Sequence, residues 1–383
     1  MLIRILTIRE HKTVYFCDVC GKEAHRQQLM IEKNQFPTIR LQTGMVLNCE
    51  CRDGVSRKGD YIIILEKVNS IYNHTSFSPY KSFQETSKNA DSGELQDTYS
   101  NILNGGNAIA VEQLKYGILD VIESYLKEHG VHREFTPITT AYRGTSTASP
   151  QRAIGQYTGN RYIKITHELG LKIASYLKLQ SVYEIGYVCR DRYSTLKNFN
   201  EFLTIEGVVL INDCFSLKDF FYDIWQRAVD ITKALSIETN PEMEHIKVLD
   251  FIEEYGSVPK MSDFEKCQKV YERLMNDNKH MILTNAPINT PFAYAEEDFL
   301  PLETKWIYNS KGIGHGYFDE YRIDRVFDAF VKQKEELVKQ GVEADLPIDY
   351  LSVLEAAGVP TNSFVIGIER LLKDLLMSPS TES

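Results

Sequence analysis

No apolar run in this chain approaches the roughly 18–20 residues of a membrane-spanning helix. No positively charged, then apolar, leader opens it, so no membrane partner is expected. Cysteine is scarce and odd in number, 7 in 383 residues. That argues against a disulfide scaffold and for a reducing, cytoplasmic setting. An excess of basic residues is also missing. Lys+Arg number 43 against 53 Asp+Glu, a net charge of −10. Contact with nucleic acid must then come from local patches. No internal repeat is visible.

What is present is ordinary in bulk. Hydrophobic residues make up 43% and charged residues 25%, the proportions of a folded globular protein. The length suits two or three domains of roughly 100–200 residues each.

Residues 1–75 read as a small β domain. Five short runs, Leu2–Ile8, Thr13–Cys17, Arg26–Ile31, Gly44–Cys51 and Asp60–Leu65, carry strand-like residues between polar turns. Five strands in that length fit a closed barrel of OB type, a common nucleic-acid platform. Tyr15, Phe16 and Gln28 are its candidate base contacts. The plain alternative is that they fill or flank the barrel. Cys17-Asp-Val-Cys20 and Cys49-Glu-Cys51 supply four thiols, enough for a tetrahedral structural zinc site. Against zinc, Cys17 and Cys49 lie in strand-like text, where a free cysteine is a small buried hydrophobe.

Residues 76–107 are polar and rich in Ser, Asn and Gly, and read as a linker. From Ala108, apolar residues fall at spacings of three and four as far as Leu126, a helix closed by His129-Gly130. A short strand ends at Pro137, Tyr162–Ile165 reads as a strand, and His167–Tyr176 as a helix. The stretch 216–280 reads as mostly helical. Met281–Pro287, Trp306–Tyr308 and Gly312–Phe318 read as strands, and Ile323–Gln340 and Ile348–Ala357 as helices. Ser363–Leu376 reads as a strand running into a helix, with Arg370 at the junction.

Between these lies Ser181–Val209, two apolar, β-branched and aromatic runs around a loop holding Arg190, Asp191, Arg192 and Lys197. The pattern predicts a long antiparallel hairpin. Arg190 ends its first strand; Glu201, Phe202 and Glu206 lie on its second. An arginine fork, a ring and a carboxylate on paired strands suit an anionic, planar, amine-bearing ligand. A solvated charged tip is the plain alternative.

Three segments in order, Ala108–Pro137, Ser181–Val209 and Ser363–Leu376 with its Gly-Ile-Glu-Arg, resemble the class II aminoacyl-tRNA synthetases. Within that class the chain is most similar to the lysyl enzymes, with the aspartyl and asparaginyl enzymes close. Tyr162–Lys172, Val182–Gly186, Gly312–Tyr317 and Asp349–Pro360 add to the likeness. The resemblance implies an α+β fold: an OB-like barrel at 1–75 that binds anticodon, a linker at 76–107, and a catalytic domain at 108–378. That domain would be an antiparallel sheet flanked by helices, with a helical insertion at about 216–280. It implies ATP and Mg2+ as cofactors, an amino acid and tRNA as substrates, and a homodimer.

The resemblance also implies roles. Arg190 would grip the α-phosphate and carboxylate, Phe202 would stack on adenine, and Arg370 would hold the far end of ATP. Glu206 and Lys305 would line the ATP site. Gly144, Glu168, His315 and Asp319 (or Glu320) would meet the amino acid. The chain also departs from the family pattern. Arg192 stands where the family has a carboxylate, Asn198 where it has His, and Val208 where a tyrosine helps read lysine. Lys305 (or Thr304) and Gly312 stand where carboxylates hold Mg2+, with Glu303 nearby. Ser363 and Val365 replace glycines. ATP binding is therefore better supported than lysine as the substrate. A paralogue with a non-tRNA acceptor, or a non-catalytic nucleotide- or tRNA-binding regulator, stays open on the sequence.

Overall fold

The computed structural model describes residues 1–21, 26–56, 59–72, 108–143, 148, 150–155, 159–191, 200–211, 215–235, 237, 242–247, 280–288, 290–295, 301–308 and 311–376. The chain divides into two compact units, Met1–Gln113 and Leu114–Ser383. The expected linker lies outside the described residues. No helix among them is long and apolar enough to cross a membrane.

In the first unit β1 (Leu2–Glu10), β2 (Val14–Gly21), β3 (Arg26–Glu32), β4 (Val46–Val55) and β5 (Tyr61–Tyr72) close a barrel in the order β1-β2-β3-β5-β4. β4 pairs back onto β1, which closes the ring. Residues two apart in a strand share a face. Ile3 and Ile5, Cys17 and Val19, Leu29 and Ile31, and Leu47 and Cys49 thus fill the interior. Each such buried apolar side chain stabilises the barrel by about 1.5–3 kcal/mol.

The same parity opposes the zinc expectation. Cys17 and Cys20 are three apart on one continuous strand, so they leave it on opposite faces. Cys17 and Cys49 are fully buried in the apolar core. Burial, and then the charge of Asp18, push the Cys17 thiol up to about 12. Cys49 Sγ meets Cys51 Sγ at 3.7 Å. Among the described residues no three His, Cys, Asp or Glu side chains group to hold a metal. The buried-hydrophobe alternative accounts for Cys17 and Cys49.

The second unit carries an eight-stranded sheet. Its strands are β6 (His132–Arg133), β10 (Val182–Cys189), β11 (Glu201–Leu210), β12 (Glu244–Lys247), β13 (His280–Pro287), β14 (Leu302–Tyr308), β15 (Lys311–Phe318) and β16 (Thr361–Gly367). They run in the order β12-β13-β14-β15-β16-β11-β10-β6. The two outermost pairs are parallel and the rest antiparallel. β7 (Thr139–Thr140), β8 (Arg152–Gly155) and β9 (Gly159–Ile163) form a small separate sheet. With the helices, this is an α+β architecture.

The expected hairpin is present. β10 and β11 pair from Val182↔Val208 to Cys189↔Glu201, and the Arg190 amide adds a 2.7 Å bond to the Asn200 carbonyl. β16 covers the other edge of β11, so β11 is central and Leu203, Ile205 and Val209 lie in the core. Two close approaches need glycine. A Cβ on Gly207 would sit 2.4 Å from the Phe364 ring, and one on Gly316 2.6 Å from the Ser363 carbonyl.

Six helices are described: α1 (Ala108–Glu128), α2 (Glu168–Lys178), α3 (Leu217–Ala234), α4 (Ile323–Lys339), α5 (Ile348–Ala357) and α6 (Ile368–Leu376). α3 shows why. Ser216 caps it, accepting the Asp219 amide at 3.3 Å. Phe221, Ile224, Trp225 and Ala228 recur at three and four and are buried in the main core with Trp306. Of the stretch 216–280, α3 is helix and β12 is strand, and 248–279 lie outside the described residues.

Candidate active site

A cleft of about 830 Å3 opens in the second unit. Arg190, Phe202, Glu206, Lys305, His315, Arg370 and Glu168 all line it. The hairpin supplies the first three because Arg190 directly follows β10 while Phe202 and Glu206 fall on one face of β11. The Arg190 guanidinium lies 5.1 Å from the centre of the Phe202 ring. At the β16–α6 junction, Arg370 donates to the Gly312 carbonyl at 2.9 Å. Glu369, beside it, accepts the Leu203 amide at 2.8 and 3.0 Å, which ties α6 to β11.

Glu206 is buried and well supplied with donors. The Thr166 hydroxyl donates to it, the His167 amide does so at 2.9 Å, and the Thr204 hydroxyl at 3.2 Å. Such a carboxylate is fixed in place. Behind it a second network holds Glu184. Lys164 Nζ lies 2.7 Å from Glu184 Oε1 and His167 Nδ1 3.2 Å from Oε2, while Thr136 donates from amide and hydroxyl. Burial works against its charge, but these partners outweigh it and lower the Glu184 pKa to about 2.

Along β14 and β15, Glu303 is almost wholly buried. Lys305 Nζ lies 3.3 Å from Glu303 Oε1, and His315 Nδ1 2.9 Å from Oε2. His315 pairs with Lys305 across the two strands, and Gly312, paired with Ile307, is near enough that a Cβ there would lie 3.4 Å from Lys305 Cε. Lys305 and His315 therefore present nitrogen, not carboxylate, to the cleft.

Glu168 opens α2. The Tyr317 hydroxyl donates to its Oε1 at 2.6 Å and Lys172 Nζ lies 2.8 Å from the same oxygen. Asp319 does not line the cleft. It is fully buried behind the wall, 2.9 Å from Lys172 Nζ, and accepts from Thr361 and Ser363 at 2.6 and 2.8 Å. Burial raises its pKa. Gly144, Arg192, Lys197 and Asn198 lie outside the described residues. Sequence reasoning assigned no role to Lys172, Tyr317, Arg143, Arg161 or Lys164. The signal for Lys172 was its place four residues after Glu168 on one helix face. The other basic residues come from the small sheet and its flanks, which carry no periodic pattern.

In the barrel the three candidate base contacts divide. Tyr15 packs against the core, with Lys33 Nζ 4.6 Å from its ring centre. Phe16 lies one residue on, thus on the other face, edge-on to His11 at 5.4 Å. Gln28 is half-buried opposite Asp18.

Comparison with known proteins places these observations. The profile of the family described as tRNA synthetases class II (D, K and N) matches residues 95–382. A lysine–tRNA ligase of Mycoplasma capricolum is 24% identical, over 70% of this chain and 63% of its own. That of Thermosipho africanus is 21% identical, over 98% of this chain and 83% of its own. The chain thus spans under two thirds of the Mycoplasma relative's length. The crystal structure of asparaginyl-tRNA synthetase from Pyrococcus horikoshii, complexed with asparaginyl-adenylate, superposes with a TM-score of 0.70. It is 16% identical, over 97% of this chain and 90% of its own.

Proposed function

Because the chain belongs to the class II tRNA synthetases of the D, K and N group, we propose that its cleft activates an amino acid with ATP and passes the acyl group to tRNA. The observation that supports this most is the meeting of Arg190, Phe202, Glu206, Arg370 and Glu168 on one cleft. Their residue types match the parts of ATP and an amino acid.

In the first step a substrate carboxylate oxygen attacks the α-phosphorus of ATP and pyrophosphate leaves. Arg190 pairs with the carboxylate and the α-phosphate, holding two mutually repelling anions in line. Phe202 offers the ring for adenine, and Arg370 meets the β- and γ-phosphates. Glu168 receives the α-amino group through Oε2, since both of its internal contacts fall on Oε1. Glu206 fixes the β11 side of the ATP site. In the second step a ribose hydroxyl of tRNA attacks the acyl carbon, its proton is lost, and AMP leaves.

Mg2+ held by the protein does not fit the β14–β15 wall. Gly312 brings no side chain, and Glu303 is already engaged by Lys305 and His315. Lys305 supplies positive charge there instead. The strand order of the barrel is that of an OB-fold, which supports tRNA as acceptor through Phe16 and Gln28. Exposed Phe135 and Ile138 support pairing of two copies through the segment after α1.

Amino-acid-dependent ATP–pyrophosphate exchange, followed by acylation of total tRNA, tests the reading. Exchange with at least one amino acid and label on tRNA are expected. No exchange with any amino acid refutes activation, and exchange without tRNA label points to another acceptor.

A further inference from the structure

No thiol takes part in the proposed cleft chemistry, and the cysteines of the barrel are not alike. Cys17 and Cys49 are fully buried, whereas Cys20 and Cys51 are partly exposed. Cys20 donates to the Gly21 carbonyl at 3.7 Å. Cys51 instead meets a second thiol, its Sγ 3.7 Å from Cys49 Sγ. Apolar burial explains Cys49 by itself, but not a partly exposed thiol set against it.

The strand explains the contact. Cys49 and Cys51 are two apart on β4, and both pack against the barrel core. β4 is irregular there. Its register against β5 slips between Asn48 and Cys49, and again between Glu50 and Cys51. Slips of this kind bend a strand and re-aim its side chains. Two steps along an extended chain span about 6.6 Å. That is inside the Cα separation of up to about 6.8 Å that a disulfide tolerates. A hydrogen bond with Cys51 holds the Cys49 thiol below its ordinary pKa against burial, and the same bond holds Cys51 above it. The two sulfurs share a proton, so the first ionisation belongs to the pair.

We propose that Cys49 and Cys51 form a dithiol modification site, entered at Cys51, which an external disulfide of the glutathione type converts to an intramolecular Cys49–Cys51 disulfide. The site lies wholly in the first unit and does not depend on what the cleft does. The Cys51 thiolate attacks one sulfur of the external disulfide, forms a mixed disulfide and releases one external thiolate. The Cys49 thiolate then attacks Cys51 Sγ, the Cys49–Cys51 bond forms, and the second external thiolate leaves. Two protein thiols are oxidised and one external disulfide is reduced to two thiols, which take up the two protons. Cys51 is the entry point because Cys49 is shut off from solvent.

Trypsin releases Leu41–Arg52, which holds both sulfurs and no other cysteine, so the mass of this peptide reads the site directly. Folded wild-type protein is equilibrated with glutathione buffers of rising oxidised-to-reduced ratio, quenched in acid, alkylated in denaturant and digested. The peptide is expected doubly alkylated at reducing ratios, and unalkylated and two hydrogens lighter at oxidising ones. In guanidinium-unfolded protein the conversion is expected to need at least about a tenfold higher ratio, because the fold no longer holds the sulfurs together. A peptide that stays doubly alkylated throughout overturns the proposal. So does one that carries glutathione on Cys51 with Cys49 free, or an equal ratio for folded and unfolded protein. Cys49→Ser is expected to stop at the glutathione adduct on Cys51. Should it not fold, Cys49→Ala, which keeps the position apolar, takes its place. Cys51→Ser is expected to take up no glutathione at Cys49 while folded, and uptake there overturns entry through Cys51.

Discussion

Arg190 and Phe202 face each other at the loop end of the β10–β11 hairpin, guanidinium to ring centre 5.1 Å. The pairing Val188↔Phe202 sets that distance, because Arg190 follows Val188 by two and shares its face. Removing the guanidinium leaves the ring and takes away the positive charge proposed to meet the reacting phosphate. Arg190→Ala is expected to lower amino-acid-dependent pyrophosphate exchange by about 100- to 1000-fold. Exchange near the wild-type rate would refute the assignment.

Phe202→Ala separates binding from chemistry. The ring offers stacking area to adenine but no charge to the transition state. Stacking on an aromatic side chain contributes about 1–3 kcal/mol. The variant is expected to raise KM for ATP by about 10-fold or more with a smaller change in kcat. Steady-state exchange at varied ATP reads this. A fall confined to kcat would move Phe202 out of the adenine site.

Much of this was legible in the sequence where periodicity is strong. The hairpin and the five barrel strands are legible as apolar, β-branched and aromatic runs between polar turns, and α1 as apolar residues three and four apart. Of the small sheet only β9 is legible, through the run Tyr162–Ile165, because Thr139–Thr140 is too short to show any period. Strand ends also ran longer than expected. β5 reaches Tyr72 because β4 continues to offer it partners, down to Val46↔Tyr72. Within the site, Arg190 and Phe202 could be placed from the hairpin alone. Asp319 could not: its position behind the wall depends on Lys172 of α2 and on Thr361 and Ser363 of β16, elements far from it in sequence. The Cys-x-x-Cys spacing left two readings open, a zinc-binding turn or a buried strand, and here it lies along one strand.

Lys305→Ala tests whether an ammonium stands where a metal would otherwise be held. Losing a charged donor to a phosphate costs about 1.5–3 kcal/mol. ATP is expected to bind about tenfold or more weakly by calorimetry. The gain from raising Mg2+ is expected to be larger in the variant than in the wild type, because solution Mg2+ then offsets the missing charge. Equal affinity and equal Mg2+ dependence in both proteins would reject the role.

The Glu184 network sets an acid limit on the second unit. Its folded pKa is lowered from 4.5 to about 2 by hydrogen bonds from His167, Lys164 and Thr136, against the effect of burial. A carboxylate with a depressed folded pKa stabilises the fold above its unfolded pKa and loses that stabilisation as pH falls. The window is therefore pH 4.5 down to about 2, and the contribution is on the order of 3 kcal/mol. Glu184→Gln keeps the shape and removes the titration. The variant is expected to be less stable at pH 7, to lose less between pH 4.5 and 2, and to approach the wild type at the acid end. Urea midpoints at pH 7, 4.5, 3.5 and 2.5 measure this. Parallel curves with a constant gap would show that Glu184 does not titrate in that window.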